Sequence, residues 1–485
     1  MGKRNINRRE FLGQASCAAL GSTAFLSSVL NMGLINTLAA RPHILQNSGD
    51  YKAIVCVLLA GGADTHNLLV PTNQTDYDAY ALTRGNLALD KNNPAELLEL
   101  GINNNGKTFG VHGGMTRVHD LFTQDKLSFI SNIGTLIEPI ASKSEYESNL
   151  KKLPLGMYSH SDQIMHWQTS VPQSRSAVGF GGRMADILHD MNTIPNVSMN
   201  ISLDGKNRFQ TGRDYNEYSI SNNTDESNVG FKGLPYWWSD AGAKNDIKDG
   251  ALNSMVEQQY SNIFHETIGA LTKQTSESIE VFQNAFANVI PLSTEFSDTN
   301  ISQDLKKMAE VISVRSKLGA NRQIFFTSYG GWDHHDNVKS SQNAMLPQLS
   351  NALGEFQESL EEINMADDVI TITISDFART LTSNGTGSDH AWGGNQIIMG
   401  NAINGGRVFG DYPSLALDGN PLNVSNRGRI IPQISVDELY AELALWYGAS
   451  PNDLDYILPN LCNFYSTSGC PSTLPQNYGP IGLFA

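Results

Sequence analysis

Three short stretches hold most of the residues that could do chemistry. Residues 324–336 read IFFTSYGGWDHHD, residues 368–380 read DVITITISDFART, and residues 388–394 read SDHAWGG. The first two share one form: an apolar, β-branched run that stops at small residues and then presents acids or histidines. A buried parallel strand delivers polar groups to the C-terminal edge of an α/β sheet in this way. Asp333, His334, His335, Asp376, Asp389 and His390 all fall between positions 333 and 390. Imidazole and carboxylate together suit a divalent ion such as Zn²⁺ or Mn²⁺.

The local spacing narrows the roles. Gly330-Gly331 lets the backbone turn sharply just before Asp333. In an extended Asp-x-His tripeptide the first and third side chains point the same way, so Asp333 and His335 can share an ion while His334 points elsewhere. A solvated polar loop is the rival reading. Asp376 directly follows VITITIS, and an acid there is costly if buried unpaired. It is a ligand, a rim residue or a helix cap. Asp389 and His390 sit among Gly385, Gly387, Gly393 and Gly394, with Trp392 as a candidate wall. Asp64 and His66 follow another apolar run, AIVCVLL at 53–59, which ends in Gly61-Gly62. Asp64 can therefore join Asp333 and Asp376 at one sheet edge. Ser159 or Ser161, ahead of a helix-like stretch at 163–168, can cap that helix, and a serine there also lies in the positive field of the helix end, next to where an anionic ester could bind. Arg183 or Arg379 can hold an anionic group bidentately, or serve as an ordinary salt-bridge partner.

Positioning these groups requires strands alternating with helices. Strands are expected at 53–59, 127–133, 196–203, 324–327, 369–374 and 397–399. Helical spacing of apolar residues appears at 118–122, 253–283, 302–318, 345–363 and 436–447, the last ending near Gly448. Residues 72–107 read as loop with one short helix. Residues 204–250 read as a polar surface insertion whose Tyr236-Trp237-Trp238 packs it down or forms a lid. The alternation indicates an α/β fold, a doubly wound and mostly parallel sheet with helices on both faces. With no fixed-period repeat, residues 45–485 form one domain with loop insertions.

The 485 residues, 40% hydrophobic, suffice for a large core. Arg8-Arg9-Glu10-Phe11-Leu12 precedes an apolar stretch broken by Gly, Ser and Asn, the pattern of a twin-arginine signal over residues 1–40. The expected location is periplasmic or secreted, with the twin-arginine export machinery as a partner and no stable membrane span after processing. The formal charge of −16 becomes more negative once the basic signal is removed. That argues against nucleic acid as a partner. Cys462 and Cys470 can pair in an oxidising compartment, while Cys56 lies in an apolar run as a buried thiol. A redox or copper site is the weakest reading, because no Cys-His-Met arrangement is visible.

LLAGGAD, YSHSDQIMHWQT, GFGGR, GGWDHHD, ISDFART, GSDHAWGGN, GGRVFGDYP and GRIIPQISVDELYAELALWYG, in this order, resemble the exported DUF1501 proteins. The resemblance extends over essentially the full chain. It implies an alkaline phosphatase/sulfatase-like fold with one or two divalent ions (Zn, Mn, Mg or Ca). Asp64, Asp333, His335, Asp376 and His390 match metal positions, with Asp389 as a substitute ligand, and Ser159 matches the nucleophile's placement. Phe377 stands where that superfamily commonly has a second histidine. The implied activity is metal-dependent hydrolysis of phosphate or sulfate esters, on a small anionic ester or one linked to polysaccharide. The alternative is a non-catalytic exported binding or envelope-assembly protein with a degraded site.

Overall fold

The structure, a computed structural model, describes residues 51–102, 106–194, 197–222, 278, 280–287, 289–465 and 481–484. The expected signal segment at 1–40, most of the helix expected at 253–283, Tyr236-Trp237-Trp238 and Cys470 lie outside these residues. Cys462 is disulfide-bonded, and Cys56 is a free, buried thiol.

The strands in chain order are β1 (Lys52–Ala60), β2 (Leu69–Pro71), β3 (Leu97–Ile102), β4 (Thr108–His112), β5 (Leu127–Gly134), β6 (Asn200–Ser202), β7 (Tyr218–Ser219), β8 (Arg322–Gly330), β9 (Val369–Ser375), β10 (Gly394–Met399), β11 (Val408–Phe409) and β12 (Ile434–Ser435). The main sheet runs β11-β5-β10-β9-β1-β8-β6-β7, with β12 also paired to β5. All its pairings are parallel except those of β10, which is antiparallel to both β5 and β9. The fold is α/β with a mostly parallel sheet.

The apolar run of β1 is continuous because both of its faces are buried. Ala53, Val55, Val57 and Leu59 enter one core, and Ile54, Cys56 and Leu58 enter the other. Helices cover both faces. Asn300–Ser313 and Val338–Glu362 supply Leu305, Met308, Leu349, Leu353 and Phe356 to the first core. His160–Thr169, Phe180–Leu188 and Val436–Tyr447 supply Trp167, Phe180, Met184, Leu439 and Tyr440 to the second. The helix Val436–Tyr447 has the expected bounds. A Ser435–Glu438 capping box starts it, and Gly448 at φ 115° ends it. No helix among the described residues is long and apolar enough to cross a membrane.

Two expectations change. Residues 72–107 contain more than a helix, because β3 belongs to a three-stranded antiparallel sheet, β2-β4-β3. Its strands are short and its β3–β4 register is broken at Glu99/Gly101, so no clean alternation marks them. The described part of 204–250 is not purely surface: Phe209 and Gln210 are fully buried. Gln210 Nε2 donates to Ile201 O at 2.9 Å and Ile324 O at 2.8 Å, tying this segment to β6 and β8.

Candidate metal centre

Strand order builds the site. β1 lies between β8 and β9, so the chain leaving β8 and the chain leaving β9 flank the end of β1. That end is Gly61-Gly62, at φ 118° and 78°. A Cβ on Gly61 would stand 2.5 Å from Asp333 N, and one on Gly62 would stand 2.3 Å from the Phe377 ring. Only glycine allows this approach. Asp389 and His390 arrive at the same edge because β10 runs antiparallel to β9 and so begins where β9 ends.

Three imidazoles meet one carboxylate there. His335 Nε2 lies 3.1 Å from Asp333 Oδ1 and 3.0 Å from His390 Nε2. His390 Nε2 is 3.4 Å from Asp333 Oδ1, and His160 Nε2 is 3.4 Å from Asp333 Oδ2. Ligand atoms of His160, Asp333 and His390 all fall within 4.8 Å of one another. Donors about 2.0–2.1 Å from a tetrahedral zinc lie about 3.3 Å apart, so each 3.0–3.4 Å separation matches a single edge of such a polyhedron, although His335 is not part of the group whose ligand atoms all lie within 4.8 Å of one another. The side chains are 34% (His160), 44% (Asp333), 45% (His335) and 21% (His390) exposed, so solvent and a small solute can reach them. Phe377 is the buried floor, with its ring centroid 4.3 Å from that of His390 and 4.9 Å from that of His160.

The charges follow from the neighbours. Partial burial works to raise the Asp333 pKa, but the Arg379 guanidinium bonded to it outweighs that and holds it below the usual carboxylate value. Burial likewise works to raise Asp389, and Asn384 and Arg427 bring it below the ordinary value. Burial lowers the His390 pKa, against the opposing pull of the Tyr158 carbonyl. His390 Nδ1 faces that carbonyl at 2.8 Å. A carbonyl only accepts, so Nδ1 carries the proton and the Nε2 lone pair points at Asp333.

Several residues expected at the site have other partners. Asp64 forms a 2.5 Å ion pair with Arg84, both side chains fully buried, and it stands apart from the donor atoms that converge on Asp333. His66 is buried beside it, and burial lowers its pKa to about 4. Asp376 is fully buried and faces His160 Nδ1 at 2.6 Å, while Gly61 N donates to its other oxygen at 3.0 Å. Asp389 is bonded by Arg427 and Asn384 and faces His335 Nδ1 at 3.3 Å. The Ser159 hydroxyl lies 3.2 Å from Ser161 Oγ and makes no side-chain cap bond. Arg379 is buried, and its guanidinium donates to the carbonyls of Gly61, Gly62, Trp332 and Ser388 as well as to Asp333. It braces the turns rather than presenting a free edge to an anion. Arg183 is buried too, bonded to the carbonyls of Ile457, Val178 and Thr169. His334 does turn away, toward the Trp332 ring.

His160 is the residue the motifs did not single out. It opens the helix His160–Thr169 and reaches the edge from outside the sheet, so no strand-end pattern announces it. Its only local signal is a histidine between two serines at a helix start. Tyr158, whose carbonyl holds His390, sits at φ 68°, an uncommon backbone for a non-glycine residue.

The family model for DUF1501, a protein of unknown function, matches residues 241–427. That span holds Asp333, His335, Asp376, Asp389 and His390 and leaves out His160. No curated protein matches the chain. Among solved structures, the chain is similar to Ps i-CgsB at 12% identity and a TM-score of 0.34, covering 85% of this chain and 77% of that one. It is similar to the PsFucS1 sulfatase from Pseudoalteromonas sp. at 10% identity and a TM-score of 0.33, covering 88% and 72%. The PH0037 protein from Pyrococcus horikoshii is similar at 10% identity and a TM-score of 0.21, covering 85% and 98%.

Proposed function

We propose that this chain is an exported hydrolase of phosphate or sulfate esters that depends on one divalent ion, held by His160, His335, His390 and Asp333. The observation that carries the reading is the approach of three Nε2 atoms to within 3.1–3.4 Å of one carboxylate, at a solvent-reachable sheet edge. Three nitrogens and one carboxylate suit Zn²⁺ or Mn²⁺ better than Mg²⁺ or Ca²⁺, which favour oxygen donors. Bound there, the ion would polarise an ester oxygen and lower the pKa of a water. Arg379 holds Asp333 in place and keeps it ionised, Phe377 closes the floor, and the His390 Nδ1 proton stays directed at the Tyr158 carbonyl. In this scheme a water is the nucleophile, with the Ser159 hydroxyl, between Tyr158 and His160, as the alternative. The substrate is a small anionic ester, or an ester carried on a polysaccharide. The twin-arginine segment supports export to the periplasm or beyond, and the acidic chain gives no footing for nucleic acid.

The test is metal analysis of the purified processed protein, followed by a panel of aryl phosphate, aryl sulfate and phosphodiester substrates. One ion per chain is expected, with turnover that chelation stops. A folded wild type that takes up neither Zn²⁺ nor Mn²⁺ sinks the reading.

A second reading has its own support. Arg379 and Arg183 are both occupied by carbonyls, and Phe377 puts an apolar ring on the floor of the site. A metal-bearing binding or envelope-assembly protein would show the same ion and no turnover on any ester of the panel.

A further inference from the structure

Each imidazole of the cluster has an oxygen at its Nδ1, and the three oxygens come from unrelated parts of the chain. His160 faces Asp376 Oδ2 at 2.6 Å, His390 faces Tyr158 O at 2.8 Å, and His335 faces Asp389 Oδ1 at 3.3 Å. Their Nε2 atoms all turn to Asp333. We propose that Asp376 and Asp389 are positioning residues, not ligands: they keep the proton on Nδ1 of His160 and His335 so that both rings present an Nε2 lone pair, and Asp376 is the stronger of the two. This rests on the metal reading above and specifies how the site is set for the ion. Oxygen partners behind metal-binding histidines fix the tautomer and orient the ring, and losing one typically costs about 10–100-fold in metal affinity.

The inequality follows from what else each carboxylate does. Asp376 is fully buried, and its other oxygen is anchored by Gly61 N in the glycine turn at the end of β1. Its short contact is therefore made by a rigid group in a low dielectric, where a hydrogen bond is stronger. Asp389 is 28% exposed, and Arg427 takes its Oδ2. Asn384 Nδ2 donates at 3.1 Å to the same Oδ1 that His335 faces, so that oxygen is shared and its contact to the ring is long.

Asp376→Asn tests the mechanism by its hydrogens. If the amide oxygen stays on Gly61 N, the NH₂ faces His160 Nδ1. That nitrogen must then accept, and the proton moves to Nε2, where the ion would bind. Zinc affinity is measured by competition with a chelating indicator on the wild type, Asp376→Asn, Asp389→Asn and His160→Ala. The expected result is one ion per chain in both aspartate variants, with affinity about 10–100-fold weaker in Asp376→Asn and only a few-fold weaker in Asp389→Asn. Equal affinity in Asp376→Asn and wild type overturns the proposal. So does a folded Asp376→Asn protein that loses the ion as completely as His160→Ala, because Asp376 would then be a ligand. Nitrogen NMR of the metal-free wild type does not depend on any variant folding: neutral His160 should carry its proton on Nδ1, and a proton found on Nε2 overturns the proposal. A wild type that binds no ion would instead remove the reading beneath it.

Discussion

Asp64 and Asp333 follow adjacent, paired strands at the same edge of the same sheet, and they meet opposite fates. Asp64 is closed off in a fully buried ion pair with Arg84. Arg84 comes from the last turn of the helix Gln74–Arg84 and also donates to Asn67 Oδ1 and the carbonyls of Thr380 and Leu381. Asp333 also has an arginine, but its side chain is 44% exposed and three imidazoles gather on it. A strand-end aspartate is thus a generic product of this fold. Whether it anchors packing or chemistry depends on what the rest of the chain brings against it.

The largest expected effect breaks the closed end. Arg84→Ala leaves Asp64 buried and unpaired, which should cost about 3–5 kcal/mol in denaturant unfolding. A loss below about 1 kcal/mol would mean that Asp64 has access to water or another cation, and the contrast would collapse. At the open end, His390→Ala should change the metal-free stability little. The wild type should gain about 2.7 kcal/mol when zinc is present at about 100 times its dissociation constant, and the variant should lose most of that gain. Thermal unfolding with and without zinc reads both.

Gly62→Ala probes the turn between the two ends. Its φ is 78° and a Cβ would strike the Phe377 ring, so a cost of about 1–3 kcal/mol is expected. Gly385→Ala, also at positive φ but with nothing within 4 Å of its Cβ, should cost less. If the two cost the same, close approach is not what the glycine turn provides.

A pH slope contrasts an acid bonded to an arginine with one that is not. Asp437 is fully buried at the start of the helix Val436–Tyr447, and burial raises its pKa to about 7. The folded protein then holds a proton that the unfolded chain releases near pH 4, so this group's contribution to stability falls as pH climbs from about 4 to about 7. Asp437→Asn should flatten that part of the stability profile. Asp333 has the opposite sign. Its pKa is lowered, so its contribution is present above the ordinary carboxylate value and fades as pH falls below it.

Much of the fold was legible because burial on both faces of a strand writes a continuous apolar run. β1 and the apolar, β-branched runs of β8 and β9 read that way, and Asp333 and His335 come shortly after β8. β2, β3 and β4 did not, being short and irregular. The helix Val436–Tyr447 showed its apolar spacing and its terminating glycine in sequence. His160 was not legible as a donor, since nothing in YSHSDQ says which sheet edge it will face. Asp376 and Asp389 were recognised as site residues, but their placement behind the histidines was not. A carboxylate shifted by a single bond length or two would have the same sequence around it.

What the sequence determined by itself was the α/β pattern, the edge at which polar groups gather and the imidazole–carboxylate chemistry available there. These follow from local hydrophobic periodicity and residue type. Only the tertiary structure decided which acid is neutralised by Arg84, that His160 arrives beside Asp333 from a helix far earlier in the chain, and which oxygen each ring's Nδ1 faces. Those outcomes depend on strand order, on the reversed direction of β10 and on small differences in side-chain placement, none of which is encoded in the spacing of neighbouring residues.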